Sequence, residues 1–429
     1  MPVTLRAGAE GFEDGLARLL SRKAETSAEV GDAAASIIAE VREGGDDALC
    51  ALTARYDRWD ARPDALAIGP GAIAAATREC SKEQLSALRL AAERIEAYHR
   101  RQLPRDERWT DEAGVTLGWR WTPIDAVGLY VPGGTASYPS SVLMNAIPAR
   151  VAGAERLVMV VPTPDGQLNP LVLAAAGIAG ITEIYRVGGA QAVAALAHGT
   201  RAIRPVDKIV GPGNTYVAAA KRLVFGQVGI DSIAGPSEIT VVADADNDPA
   251  WIAADLLSQS EHDASSQSVL ITDDERFAEA VLAAAEDQLD GHPREAIARP
   301  AWEGNGAVIL VDRIGAAGAV VDRLAPEHLE LAVRDPDALL TTIRHAGAVF
   351  LGRHTPEAVG DYVAGPDHVL PTARAARFSS GLSVLDFLKR TTICGLTEKA
   401  MKAIGPAAVT LAETEGLESH AESVRLRLG

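Results

Sequence analysis

The stretch EIYRVGGAQAVAALAHGT (183–200), with VDKIVGPGN (206–214) just beyond it, decides the fold. Glu183 to Val187 is a β-rich run that passes through Gly188-Gly189-Ala190-Gln191 into an alanine-rich helical stretch. Lys208 to Val210 is a second such run, and Gly211-Pro212-Gly213-Asn214 opens another helix. Strand, glycine turn, helix, strand in that order is a βαβ unit, and such units lay their strands parallel. Toward the N-terminus, Arg156 to Val161 reads as a strand before a helix near Asn169 to Ile178, and Val127 to Val131 leads into Pro132-Gly133-Gly134. Toward the C-terminus a second round follows: strands at Glu238–Ala243, Ser268–Thr272, Ala307–Val311 and Ala348–Leu351, with helices near Pro249–His262 and Glu275–Gln288 and a further one after Val311.

The two rounds, roughly 120–235 and 236–355, match in length and order, as a duplication would leave them. The expected fold is therefore α/β: two doubly wound, Rossmann-like parallel-sheet units. An N-terminal helical region over 1–115 precedes them, with Leu85, Leu88, Ala91, Ile95 and Tyr98 near a 3.6-residue period. The first unit is placed at 116–235, the second at 236–375, and a C-terminal helical tail at 376–429. Residues 363–381 form a long irregular stretch, a length that loops without function seldom reach.

Composition narrows the function. Lys and Arg number 41 against 58 Asp and Glu, a formal charge of −17. Such a surface argues against nucleic acid and against an anionic membrane, both of which need clustered cations. Cys50, Cys80 and Cys394 form no C-x-x-C pair, so no thiol zinc knuckle is expected, and three scattered cysteines suit a reducing compartment. No apolar run of signal-peptide or membrane-spanning kind is seen, so the cytoplasm is the expected location.

Several groups could carry chemistry. Gln259 and His262 sit three apart on a predicted helix and would share a face, as a metal pair could or as an ordinary buried histidine would. In Ala325-Pro326-Glu327-His328, Pro326 is read as the first residue of a helix. Glu327 and His328 would then lie in its first turn, and the helix dipole would keep His328 neutral, as a general base must be. Asp361 and His368 crowd a glycine- and proline-rich loop. Glu415 and His420 lie in the tail, where such residues are usually solvated. None of the glycine turns matches G-x-G-x-x-G, since Tyr216 stands where the third glycine belongs.

These phrases together resemble the histidinol dehydrogenase family. The likeness runs through GLYVPGG (128–134), VGGAQ (187–191), VGPGN (210–214), AGPSE (234–238), Gln259 with His262, APEH (325–328), HVLPT (368–372) and EGLESH (415–420). It implies oxidation of L-histidinol to L-histidine, the last step of histidine biosynthesis, by a four-electron course through bound histidinaldehyde. Two NAD serve in succession, with one zinc per subunit. By resemblance the metal ligands are Gln259, His262, Asp361 and His420, the proton-transfer residues Glu327 and His328, and the NAD contacts Tyr130, Gln191 and Asn214. Substrate contacts would be Ser237, His368 and Glu415 together with Gln259, His262, His328, Asp361 and His420. The tail would cross to the other subunit of a homodimer and complete its site there. Two other readings stand beside this one: a related zinc dehydrogenase for another small diol, such as a sulfonated propanediol, and a nucleotide-binding module without chemistry. The tail phrase argues against the first and the intact Glu-His pair against the second.

Overall fold

The structure is a computed structural model that describes residues 2–21, 28–133 and 138–429. Gly134, last of the first glycine turn, lies outside the described residues. The chain opens with β1 (Val3–Arg6), α1 (Phe12–Ser21), α2 (Ala28–Asp57), α3 (Pro70–Glu79) and α4 (Lys82–Arg100). Helix α4 begins where Ser81 and Gln84 cap each other's backbone, and it buries Leu88, Ala91, Ala92 and Ile95. Strands β2 (Glu107–Thr110) and β3 (Thr116–Pro123) follow.

The first unit comprises β4 (Ala126–Tyr130), α5 (Pro139–Ala152), β5 (Arg156–Val160), α6 (Pro170–Ala179), β6 (Glu183–Tyr185), α7 (Gly189–His198), β7 (Lys208–Val210), α8 (Thr215–Val224) and β8 (Gly229–Ile230). Its strands pair in the order β6-β5-β4-β7-β8, and all pairs are parallel. The second unit comprises β9 (Glu238–Ala243), α9 (Pro249–Ser260), β10 (Gln267–Thr272), α10 (Glu275–Leu289), α11 (Glu295–Asn305), β11 (Ala307–Leu310), α12 (Ala317–Leu324), β12 (His328–Ala332), α13 (Pro336–Leu340), β13 (Ala348–Leu351) and the single turn α14 (Glu357–Val359). Its sheet runs β1-β11-β10-β9-β12-β13, again parallel throughout. Counted within each unit, both sheets have the doubly wound order 3-2-1-4-5, and β1 is an extra edge strand on the second. Buried alanines such as Ala174, Ala175 and Ala176 on α6 let helices pack closely on the first sheet. After an irregular stretch come β14 (Leu388–Gly395), α15 (Glu398–Thr414) and α16 (Glu418–Leu428). No helix among the described residues is long and apolar enough to cross a membrane.

Three expectations are corrected. The text around Pro326 is not a helix start. Helix α12 ends at Leu324, Ala325 turns left-handed (φ 45°), and Pro326 and Glu327 lead into strand β12. A proline shortly after a helix end reads the same locally as one at a helix start. The decision is tertiary: His328–Ala332 is buried along its whole length because it is needed between β9 and β13. The C-terminal tail, 376–429, is not all helical, because β14 pairs antiparallel with β3, and β2 completes that three-stranded sheet. Finally, the N-terminal region is not purely helical. It supplies β2, and it supplies β1 to the second unit's sheet.

Candidate active site

In a βα unit the helix starts beyond the C-terminal edge of the strands and returns to their N-terminal edge. The first unit presents its C-terminal edge to the site. There the glycines are required by close approach. A side chain on Gly133 would press on the Pro162 carbonyl, one on Gly188 would run into the Pro162 ring, and one on Gly211 (φ 110°) would run into the Tyr130 carbonyl. The Gly211 turn is held at both ends: its N–H donates to Asp231 (2.8 Å), its carbonyl accepts from Lys221 (3.0 Å), and Lys221 pairs with Asp231. Tyr130, Gln191 and Asn214 come together here. The Tyr130 hydroxyl accepts from the Gly189 N–H (3.0 Å) at the start of α7, a helix whose N-cap, Gly188, has no side chain to cap it. Asn214 caps α8 by accepting from the Val217 N–H (3.1 Å). Gln191 is buried, and its Nε2 has no partner. A donor left so is costly unless a ligand accepts from it. The glycine cradle, the open start of α7 and this donor fit a dinucleotide.

The second unit presents its opposite, N-terminal edge. Glu327 and His328 stand where β12 begins, and Glu238 and Ser237 where β9 begins. The Glu327 carboxylate accepts from the Glu238 N–H (2.8 Å) and lies 3.6 Å from His328 Nδ1. His328 Nδ1 donates to the Glu238 carbonyl (3.0 Å), which can only accept, so Nε2 is the nitrogen left for chemistry. That Nε2 is buried, 3.3 Å from Asp361 and 3.9 Å from Glu357, and Phe350 stacks on the ring. Asp361 sits on a π-helical turn, Gly360–Ala364, just after α14. His368 donates from Nδ1 to the Asp361 carbonyl (3.1 Å), and its Nε2 meets the Ser141 hydroxyl on α5 (3.3 Å). Ser141, His368, Asp361 and His328 thus bridge the two edges. Beyond His368, Thr372 accepts from the Gly235 N–H (2.6 Å) and Glu238 accepts from the Ala373 N–H (2.8 Å), which ties this loop to the start of β9.

Gln259 is buried on the last turn of α9, and His262 lies just past the helix end, its N–H donating to the Gln259 carbonyl (3.1 Å). The pair therefore straddles a helix C-terminus, where the dipole favours a cation. An amide oxygen, an imidazole and a carboxylate from Gln259, His262 and Asp361 make a borderline-to-hard donor set that fits zinc. His328, Glu357 and Asp361 bring ligand atoms within 4.8 Å of one another, and Asp361 belongs to both donor sets. Glu415 and His420 are not brought in. They are exposed on a tail whose two helices pack chiefly on each other and leave Leu411 63% and Leu426 73% exposed.

Electrostatics follow from crowding carboxylates around one imidazole. Burial pushes Glu327 up to about 8, against the attraction of His328. Burial opposes charge on His328 too, but Glu327, Asp361 and Glu357 outweigh it and raise it to about 10. Desolvation lowers both His262 and His368. Glu357, raised by burial to about 7, has no signal in the sequence as a site residue. Glu330 had a faint one: it lies two residues from His328, hence on the same face of a strand. Its carboxylate accepts from the Glu357 N–H (2.6 Å).

Two Rossmann-like sheets that meet edge to edge over a buried histidine are the build of an α/β oxidoreductase. The comparisons with known proteins narrow the class. The histidinol dehydrogenase family model matches residues 20–428. The histidinol dehydrogenase of Cereibacter sphaeroides is 61% identical over 428 residues, covering 100% of this chain and 99% of that protein. That of Rhodospirillum rubrum is 60% identical over 429 residues, covering 100% and 99%. The crystal structure of histidinol dehydrogenase from Elizabethkingia anophelis superposes with a TM-score of 0.94 at 36% identity, covering 100% of this chain and 98% of that one. The chain belongs to the histidinol dehydrogenase family.

Proposed function

We propose that this chain oxidises L-histidinol to L-histidine, removing four electrons as two hydrides to two NAD in succession, with histidinaldehyde kept in the site between them. Family membership supports the substrate. The observation that carries the chemistry is His328, whose Nδ1 is committed to the Glu238 carbonyl and whose Nε2 is buried without a hydrogen-bond partner.

Gln259, His262 and Asp361, with His420 of the partner subunit, would hold zinc, which when bound orients the substrate through its imidazole and amino nitrogens. Tyr130, Gln191 and Asn214 would hold NAD, the hydride acceptor, on residues 116–235. Residues 236–375 would supply the metal and proton-transfer groups, and residues 376–429 would reach the partner of a homodimer. Two helices that pack mainly on each other and leave Leu411 and Leu426 exposed support that last assignment.

His328 takes the alcohol proton at Nε2 as the first hydride leaves, and takes a proton again in the second oxidation. For this it must be neutral, and three carboxylates hold it charged. Engaging Asp361 in metal ligation removes the nearest of them from Nε2. Glu327 assists addition of water to the aldehyde carbon. Burial keeps its pKa near neutral, where a carboxyl can exchange a proton. Ser237 and His368, with Glu415 of the partner subunit, would complete the substrate contacts. A small-molecule reaction of this kind in the cytoplasm accords with the acidic surface.

The test is metal analysis of the purified protein together with the count of NADH formed per histidinol. About two per substrate and one zinc per chain are expected. One NADH per substrate would overturn the four-electron course, and a preference for a sulfonated propanediol would overturn the substrate.

A further inference from the structure

Among the described residues, five that are not glycine have positive φ, and they cluster. Ala325, Ala373 and Arg374 flank the Glu327-His328 centre, while Arg58 (φ 52°) and Asp165 (φ 55°) face each other across the first unit. Such conformations cost free energy and persist where the surroundings impose them. Arg58 follows α2, and Asp165 lies in the turn after β5. They form a bidentate pair, Nε to Oδ1 at 2.8 Å and Nη2 to Oδ2 at 2.6 Å. Both line a cleft of about 730 Å³ with Gly133, Pro162, Gln167 and Asn169. The pair's side chains remain 63% and 57% exposed, so a ligand in the cleft can reach them.

Topology says what the cleft is beside. Strand β5 is the second strand of a doubly wound unit, next to the central β4 whose glycine turn contributes Gly133. In such units an acid beyond the second strand accepts from the 2′-hydroxyl of the adenosine ribose, and an arginine nearby accommodates a 2′-phosphate. This chain has both residues, bonded to each other.

We propose that the Arg58–Asp165 pair reads the 2′ position of the adenosine ribose and selects NAD over NADP. The inference rests on the reading that the first unit takes the dinucleotide. Asp165 spends part of its acceptor capacity on Arg58 and keeps lone pairs for a hydroxyl. A 2′-phosphate in that place meets a carboxylate of like charge, and the guanidinium that would neutralise it already gives its Nε and Nη2 edge to that carboxylate. Selectivity therefore resides in Asp165, and Arg58 is a phosphate site held shut.

The experiment is calorimetric titration of the full-length, metal-loaded protein with NAD and with NADP. Asp165→Asn keeps an acceptor, tolerates the left-handed backbone and frees Arg58. It should tighten NADP on the order of tenfold, with NAD changed by about twofold or less. Adding Arg58→Asn should abolish the gain. Gln191→Ala and Asn214→Ala should weaken NAD in either background. If those two weaken NAD while Asp165→Asn leaves the NAD:NADP ratio as in the parent, the selectivity proposal is wrong and the cofactor reading stands. If Gln191→Ala and Asn214→Ala leave NAD binding unchanged, the cofactor reading is wrong and the selectivity proposal falls with it.

Discussion

In the first unit β4, β6 and β7 run toward the site and end in glycine turns, where α7 follows Gly188, which has no side chain to cap it, and α8 is capped by Asn214. In the second, β9 and β12 start at the site, where α9 and α12 end. The strand order is the same, but the molecule uses opposite ends of it. Helix N-termini carry partial positive charge and free N–H groups, and helix C-termini carry the reverse. One end therefore suits a dinucleotide phosphate and the other a cation and an imidazolium. The unused C-terminal edge of the second unit shows the contrast. Its turn N–H groups are already taken by carboxylates: that of Arg334 by Asp244 (2.7 Å), that of Ile314 by Asp273 (2.8 Å) and that of Phe277 by Asp274 (2.8 Å). A phosphate would meet acids there in place of donors. NAD titration should accordingly saturate at one dinucleotide per chain, and two would break the contrast.

The largest effect is expected at the cationic end. His328→Asn should depress both hydride steps by about 10²–10⁴-fold. Glu327→Gln should harm oxidation of histidinaldehyde more than that of histidinol when the two are assayed separately. Equal harm to both would erase the division of tasks. Next comes the tail. A mixed dimer of His420→Asn and His262→Asn subunits should regain activity at one of its two sites, whereas each variant alone is inactive. No recovery would mean that each chain completes its own centre.

A change at the anionic end should stay there. Gly211→Ala imposes a left-handed backbone costing about 1–3 kcal/mol and drives a methyl against the Tyr130 carbonyl. NAD binding should weaken by about tenfold or more while bound metal is unchanged by elemental analysis. Loss of both would show that the two edges are not independent. The smallest effect concerns stability. Burial raises the Asp57 pKa, and its carboxylate accepts from the Thr163 N–H (3.4 Å) behind the first edge. A raised carboxyl pKa stabilises the fold below the unfolded value of about 3.9, and that contribution fades as pH rises through the folded value. Asp57→Asn keeps an acceptor, so melting curves should show a gain of about 2 °C at pH 8 and almost none near pH 4. An equal gain at both pH values would assign the effect to packing.

Much of this was legible in the chain. Glycines 188, 189, 211 and 213 after β-rich runs announce parallel strands, and at Gly188 and Gly211 only glycine fits, because Pro162 and the Tyr130 backbone approach so closely. The phrases around Gln259, Glu327-His328, Asp361 and His368 name most of the residues that the fold then gathers on one edge. Glu357, Ser141 and Phe350 were illegible, since a buried glutamate far from any motif looks like a surface one until its neighbours are known. The strand at His328–Ala332 was misread because five residues after a proline hold too little periodicity to separate helix from strand.

The sequence by itself determined the two parallel-sheet units and the chemical types at the site, because turn glycines and strand-helix alternation are local properties. Only the tertiary structure decided that the second sheet is used from its N-terminal edge, that His328 begins a central strand with Nε2 left for chemistry, and that one imidazole stands among three carboxylates. Those facts depend on which residues, scores of positions apart, are desolvated together, and no local pattern encodes that.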